Sequence, residues 1–134
     1  RLSPDGKQFT PGHDTTMFLS GDVAVALGEL ARERWKIATH SKLDEIEPCD
    51  DEWPAGLDPN FEKVEVAIAR TRAHYEDVEE VREIETLYLD MIAAAKRFIY
   101  FENQYFTSGK IAAAIAERMK EDDPPEIVLV MPRT

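Results

Sequence analysis

Two apolar runs joined by a helical segment constrain the fold of this chain most strongly. The first run, about 98–102, is rich in aromatic and β-branched residues, and the second covers 127–131. Short apolar runs of this kind are typical of strands buried in a sheet. Between them, apolar residues recur at helical spacing over about 109–120. The sequence therefore predicts an α/β fold with a βαβ unit at about 98–131, whose strands are parallel and whose crossover is right-handed.

The rest of the chain is predicted to hold two more helices and two more strands. In chain order, we expect a strand at 15–19, a helix at about 23–38, a loop at 39–62, a strand at 64–68, an irregular segment at 70–80 and a helix at about 81–97. Asp22 is the predicted N-cap of the first helix, and either Thr107 or Ser108 is suited to cap the last. Lys96 and Arg97 would close the second helix favourably, because cations stabilise a helix C-terminus.

Composition limits the partners that this chain can take. The 134 residues are the size of one ordinary domain, and the formal net charge is −11. Because nucleic acids need a positive surface, we expect none as the main partner. The single cysteine, Cys49, excludes an intramolecular disulfide, and no run is long enough for a membrane helix. We therefore expect a soluble protein, in the cytoplasm or at the periphery of a membrane.

A search for catalytic groups yields little. The chain has no glycine-rich phosphate loop, no zinc-type spacing of Cys and His, and no Gly-x-Ser-x-Gly motif. His13 and Asp14 are adjacent, and neighbouring residues of an extended segment point to opposite sides, which disfavours direct pairing. The carboxylate pairs lie in polar loops or helix starts, where nothing tunes them for acid–base work. No metal or cofactor is expected.

The polar residues that follow the 98–102 strand are the best candidate site. Glu102, Asn103, Gln104 and Tyr105 come where this strand would leave its sheet. In open α/β sheets, ligands bind beyond the carboxyl ends of the strands. Amides can orient a phosphate or a polar headgroup, and a tyrosine hydroxyl can donate a hydrogen bond. The alternative is that these side chains only satisfy loop backbone and helix caps.

The residues around this site resemble a known family. The segments that carry the resemblance are 82–92 and 99–108, with further similarity at 13–14, 21–24, 34–39, 53–54, 69–71 and 125–132. Together they resemble the phospholipase D superfamily, in the region between its two His-x-Lys-x-x-x-x-Asp motifs. The stretch 100–106 resembles the segment that precedes the second motif.

The resemblance implies a three-layer α-β-α fold of two lobes, of which this chain holds a part. Residues 1–58 would end the first lobe and lead into the linker, and residues 59–134 would begin the second. In this family, two motif histidines act at one site between the lobes, one forming a phosphohistidine and the other protonating the leaving group. Glu102, Asn103, Gln104 and Tyr105 would then contact a phospholipid substrate, and no metal is implied. Because the chain begins at Arg1 and ends just after a strand-like run, we expect a piece of a longer protein, which self-associates through cut sheet edges.

The chain departs from the family pattern in one decisive respect. His40 and Lys42 form its one His-x-Lys sequence, but Glu47 stands at the position of the motif Asp and the usual Gly-Ser-rich segment does not follow. We interpret His40 as a residue at a helix C-terminus, where the dipole favours a cation. The piece alone is therefore expected to be inactive, with no catalytic residue of its own. A cardiolipin-synthase-like transferase, a nuclease of the same superfamily and a non-catalytic interaction domain remain as alternatives.

Overall fold

The chain folds as two units, Arg1–Ala67 and Ile68–Thr134. The computed structural model describes residues 4–8, 15–44 and 53–132. The elements are α1 (Asp22–Thr39), β1 (Thr71–Arg72), β2 (Val81–Arg82), α2 (Glu83–Ala94), β3 (Phe98–Glu102), α3 (Gly109–Arg118) and β4 (Glu126–Val130). Within the described ranges, α1 belongs to the first unit and the other six elements belong to the second.

Helix α1 lies where a helix was predicted, but its N-cap is Gly21. Gly21 has a φ of 76°, which suits glycine, and no side chain caps this end. Asp22 was the predicted cap; it lies in the first turn instead, where a carboxylate still favours the helix dipole. The helix ends at His40, which is left-handed with a φ of 55° and donates its N–H to the Lys36 carbonyl at 2.8 Å. The prediction that His40 lies at a helix C-terminus is confirmed.

The strand predicted at 15–19 is absent. These residues are irregular, and Met17 is 79% exposed. Phe18 instead packs its ring edge-on against Trp53, with a centroid distance of 5.1 Å. An extended segment needs a neighbour for its backbone groups, and no other strand lies in the described part of this unit.

A hairpin replaces the strand predicted at 64–68 and the irregular segment predicted at 70–80. Val64 and Val66 are exposed and in no strand, whereas β1 and β2 pair antiparallel. At the tip, Tyr75 and Val78 exchange two backbone hydrogen bonds, at 3.1 and 2.9 Å. Backbone pairing, and not an alternation of apolar residues, therefore holds this hairpin together.

Helix α2 is shorter than predicted at its C-terminal end. It stops at Ala94, so Lys96 and Arg97 lie past the last turn. Arg118 of α3 takes over their predicted role, because its Nη1 donates to the Ile92 carbonyl at 3.0 Å and its Nη2 donates to the Ala95 carbonyl at 2.8 Å. These bonds satisfy carbonyls that a helix end leaves without partners.

The predicted βαβ order and the parallel pairing of its strands are confirmed. β3 and β4 are parallel, with Phe98 opposite Glu126 and Glu102 opposite Val130. α3 connects them, and the Ser108 hydroxyl accepts from the Ile111 N–H at its N-terminus. The fold class is therefore α/β, with a two-stranded parallel sheet.

Helices cover part of one face of this sheet, and Leu129 on that side stays 40% exposed. Ile92 of α2, Ile99 of β3 and Ile115 of α3 are buried together, and Phe101 and Ile127 pack against them. The opposite face carries exposed side chains, and we call it the open face; it consists of Phe98, Tyr100, Glu102, Glu126, Val128 and Val130. Both strands were predicted to be buried, which is wrong for this face.

Candidate functional site

The candidate site lies where β3 leaves the sheet. Glu102 is the last residue of β3, and the Asn103 N–H donates to the Val130 carbonyl at 3.1 Å. This bond extends the parallel pairing one step beyond the strand. Since β3 and β4 are parallel, their carboxyl ends share one edge of the sheet. The loop therefore starts from a fixed backbone position.

The loop is also anchored at its far end. Phe106 is half-buried against the core, with its ring 6.4 Å from that of Phe101 at an interplanar angle of 66°. Phe101 in turn stacks on Tyr88 of α2, at 5.9 Å. Ser108 then caps α3. Between these anchors, Asn103, Gln104 and Tyr105 are exposed, and Tyr105 is 71% exposed.

Two hydrogen bonds between described residues lie within the site. The Gln104 N–H donates to Asn103 Oδ1 at 2.8 Å, so this oxygen is used within the loop. The Tyr100 hydroxyl donates to Glu102 Oε2 at 3.1 Å. The bond to Glu102 raises the pKa of the Tyr100 phenol, with smaller contributions from desolvation and from the Glu102 charge. Tyr100 is therefore a proton-bearing donor at neutral pH and not a base.

Tyr100 is a site residue that the sequence reasoning missed. It lies two positions before Glu102 on the same strand, and residues two apart share a face. The two-residue spacing between Tyr100 and Glu102 was therefore a sequence signal that could have identified Tyr100. The four predicted residues Glu102, Asn103, Gln104 and Tyr105 do form one exposed segment, as expected from their adjacency.

Residues 103–105 include no cation. Lys110, in the first turn of α3, is the nearest cationic residue along the chain, and its Nζ lies 2.6 Å from Glu85 Oε1. This pairing lowers the pKa of the Glu85 carboxyl, mainly through the hydrogen bond from Lys110. The loop residues themselves would therefore offer a bound phosphate only neutral donors.

The other groups considered in the sequence lie only partly within the described residues. In residues 4–8, 15–44 and 53–132, no group of three or more His, Cys, Asp or Glu is placed to hold a metal ion. Cys49, Glu47, His13 and Asp14 lie outside the described residues. His74 lies exposed in the hairpin between β1 and β2. No described helix combines the length and apolar character needed to cross a membrane.

The loop can thus offer hydrogen-bond donors at a sheet edge, and it contains no histidine. Its donors are the Asn103 and Gln104 amides and the Tyr105 hydroxyl. Comparison with known protein families, with curated proteins and with solved structures finds no match to this chain.

Proposed function

We propose that this chain is part of a phospholipase D-like enzyme that cleaves or transfers phosphodiester bonds of phospholipids. In this proposal, Glu102, Asn103, Gln104 and Tyr105 form the mouth of the substrate site. One observation carries it: an exposed pair of amides and a tyrosine follow a strand at the carboxyl edge of a parallel pair. Ligands of α/β proteins bind at such edges.

The contacts of the loop suggest a division of roles. Asn103 Oδ1 accepts from the Gln104 N–H. The Nδ2 group of the Asn103 side chain takes no part in this bond and can donate to a ligand. Asn103 Nδ2, the Gln104 amide and the Tyr105 hydroxyl would donate to phosphodiester oxygens. Glu102 would repel an anionic phosphate, so its role is to hold the strand end through Tyr100.

Catalysis would need residues that this chain does not contain. Its sequence has no His-x-Lys-x-x-x-x-Asp motif, and Glu47 replaces the Asp in the one partial match. The proposed phosphohistidine would therefore form on a motif elsewhere in the protein, and this chain alone would be inactive. The assignment of 1–58 and 59–134 to two lobes of a three-layer fold belongs to the same proposal.

The competing functions differ in substrate. A cardiolipin-synthase-like transferase would use the same loop and phosphohistidine chemistry, with a lipid alcohol as acceptor. A nuclease is disfavoured by the net charge of −11, because DNA and RNA repel an acidic surface. A non-catalytic interaction domain would require no His-x-Lys motif at all.

The first test is the open reading frame that encodes this sequence. The proposal expects one His-x-Lys-x-x-x-x-Asp motif before Arg1 and one after Thr134. If neither motif is present, the enzymatic proposal is wrong and the interaction domain takes its place.

The second test is activity of the protein that carries both motifs. We expect hydrolysis or transfer on phosphatidylcholine vesicles and none on single-stranded DNA. Asn103→Ala and Gln104→Ala should each lower kcat/KM by about tenfold to a hundredfold, because each removes donors to the phosphate. Asp90→Ala, at an exposed position of α2, is the matched control and should leave activity unchanged. Full activity of both loop variants would remove these residues from the site.

A further inference from the structure

We draw no further inference here: the strongest candidate, the exposed apolar patch around Tyr100 and Val128 on the open face of the β3–β4 sheet, carries none because nothing in the described part of the structure shows what covers it.

Discussion

Arg70 and Glu83 form a two-pronged ion pair that joins the residue before β1 to the first residue of α2. Nη2 lies 2.8 Å from Oε1 and Nε lies 3.0 Å from Oε2, and the Arg70 N–H donates to Oε2 at 2.9 Å. The side-chain hydrogen bonds from Arg70 hold the pKa of the Glu83 carboxyl below its ordinary value, against a smaller opposing effect of desolvation. This one carboxylate therefore fixes the hairpin to the helix.

The lowered pKa of Glu83 predicts how the stability of the second unit depends on pH. A group whose pKa is lower in the folded state stabilises the fold above its unfolded pKa, about 4.3 for glutamate, and loses that contribution as the pH falls. Glu83→Gln should therefore be less stable than the unaltered chain in urea unfolding at pH 7, with the difference shrinking at pH 3. Glu117→Gln is the control, because the Glu117–Lys120 pair is 70% and 68% exposed and contributes little. The same difference at both pH values would contradict the prediction.

Arg118 should be the most sensitive charged residue of the βαβ unit. Its side chain is 17% exposed and donates to the carbonyls at the end of α2. Its Nε lies 2.9 Å from Glu121 Oε1, too bent for a hydrogen bond, so that contact is an ion pair. Arg118→Met should cost about 1–3 kcal/mol of unfolding free energy, because half-buried carbonyls lose their donors.

Urea unfolding measures this cost, and Lys120→Met is its matched control. Lys120 lies two residues further on, with 68% of its side chain exposed, and its removal should change stability by less than about 0.5 kcal/mol. Equal losses for both variants would show that Arg118 does not act through the carbonyls of α2.

The N-cap of α3 distinguishes between two neighbouring hydroxyls. Ser108 accepts from the Ile111 N–H at 3.4 Å, which is a long hydrogen bond. Ser108→Ala should therefore destabilise the fold by about 0.5–1 kcal/mol, at the lower end for a lost cap. Thr107→Ala should have almost no effect in the same thermal or urea unfolding experiment. A larger loss for Thr107→Ala would reverse the assignment of the cap.

The Tyr100–Glu102 bond should be visible in the tyrosine titration. The chain has four tyrosines, and the difference between the tyrosinate absorbance of the unaltered chain and of Tyr100→Phe isolates Tyr100. We expect its pKa to lie above the ordinary value of about 10, because Glu102 accepts a bond that only the protonated phenol can donate. In Glu102→Gln the pKa should fall back toward that value, since the charge is removed.

The raised pKa of Tyr100 also predicts how its contribution to the stability of the fold changes with pH. A phenol whose pKa is raised on folding contributes stability below its unfolded pKa and loses it as the pH rises through the folded value. The gap in stability between the unaltered chain and Tyr100→Phe should therefore narrow above pH of about 10. An unchanged Tyr100 titration in Glu102→Gln would show that the bond is not formed in solution.

The βαβ unit was predictable because its signals are local. The apolar runs, the helical spacing and the capping hydroxyls lie within 98–131, and the observed β3, α3 and β4 fall within two residues of the predicted bounds. The polar loop 103–105 followed from the position at which β3 ends. The link between Tyr100 and Glu102 needed only the two-residue period of a strand.

The errors arose where contacts distant in sequence decide the structure. The apolar alternation at 64–68 predicted a strand, but a strand forms only with a partner. β1 and β2 pair with each other instead. The contact between Arg70 and Glu83 holds the hairpin that they form against α2. Similarly, Lys96 and Arg97 fit the end of a helix by charge, yet Arg118 reaches that end from α3. Local sequence patterns do not reveal which residue distant in sequence makes such a contact.

The parallel register of β3 and β4 has a consequence for how this unit folds. Each backbone pair joins residues on either side of α3, so no rung of the ladder can form before the chain has crossed over. The loop-closure entropy is lower once α3 is already helical, since a helix shortens the flexible part of the connection. We therefore expect a folding order in which α3 and α2 meet first around Ile92 and Ile115, and β4 then docks beside β3 as the last and slowest step.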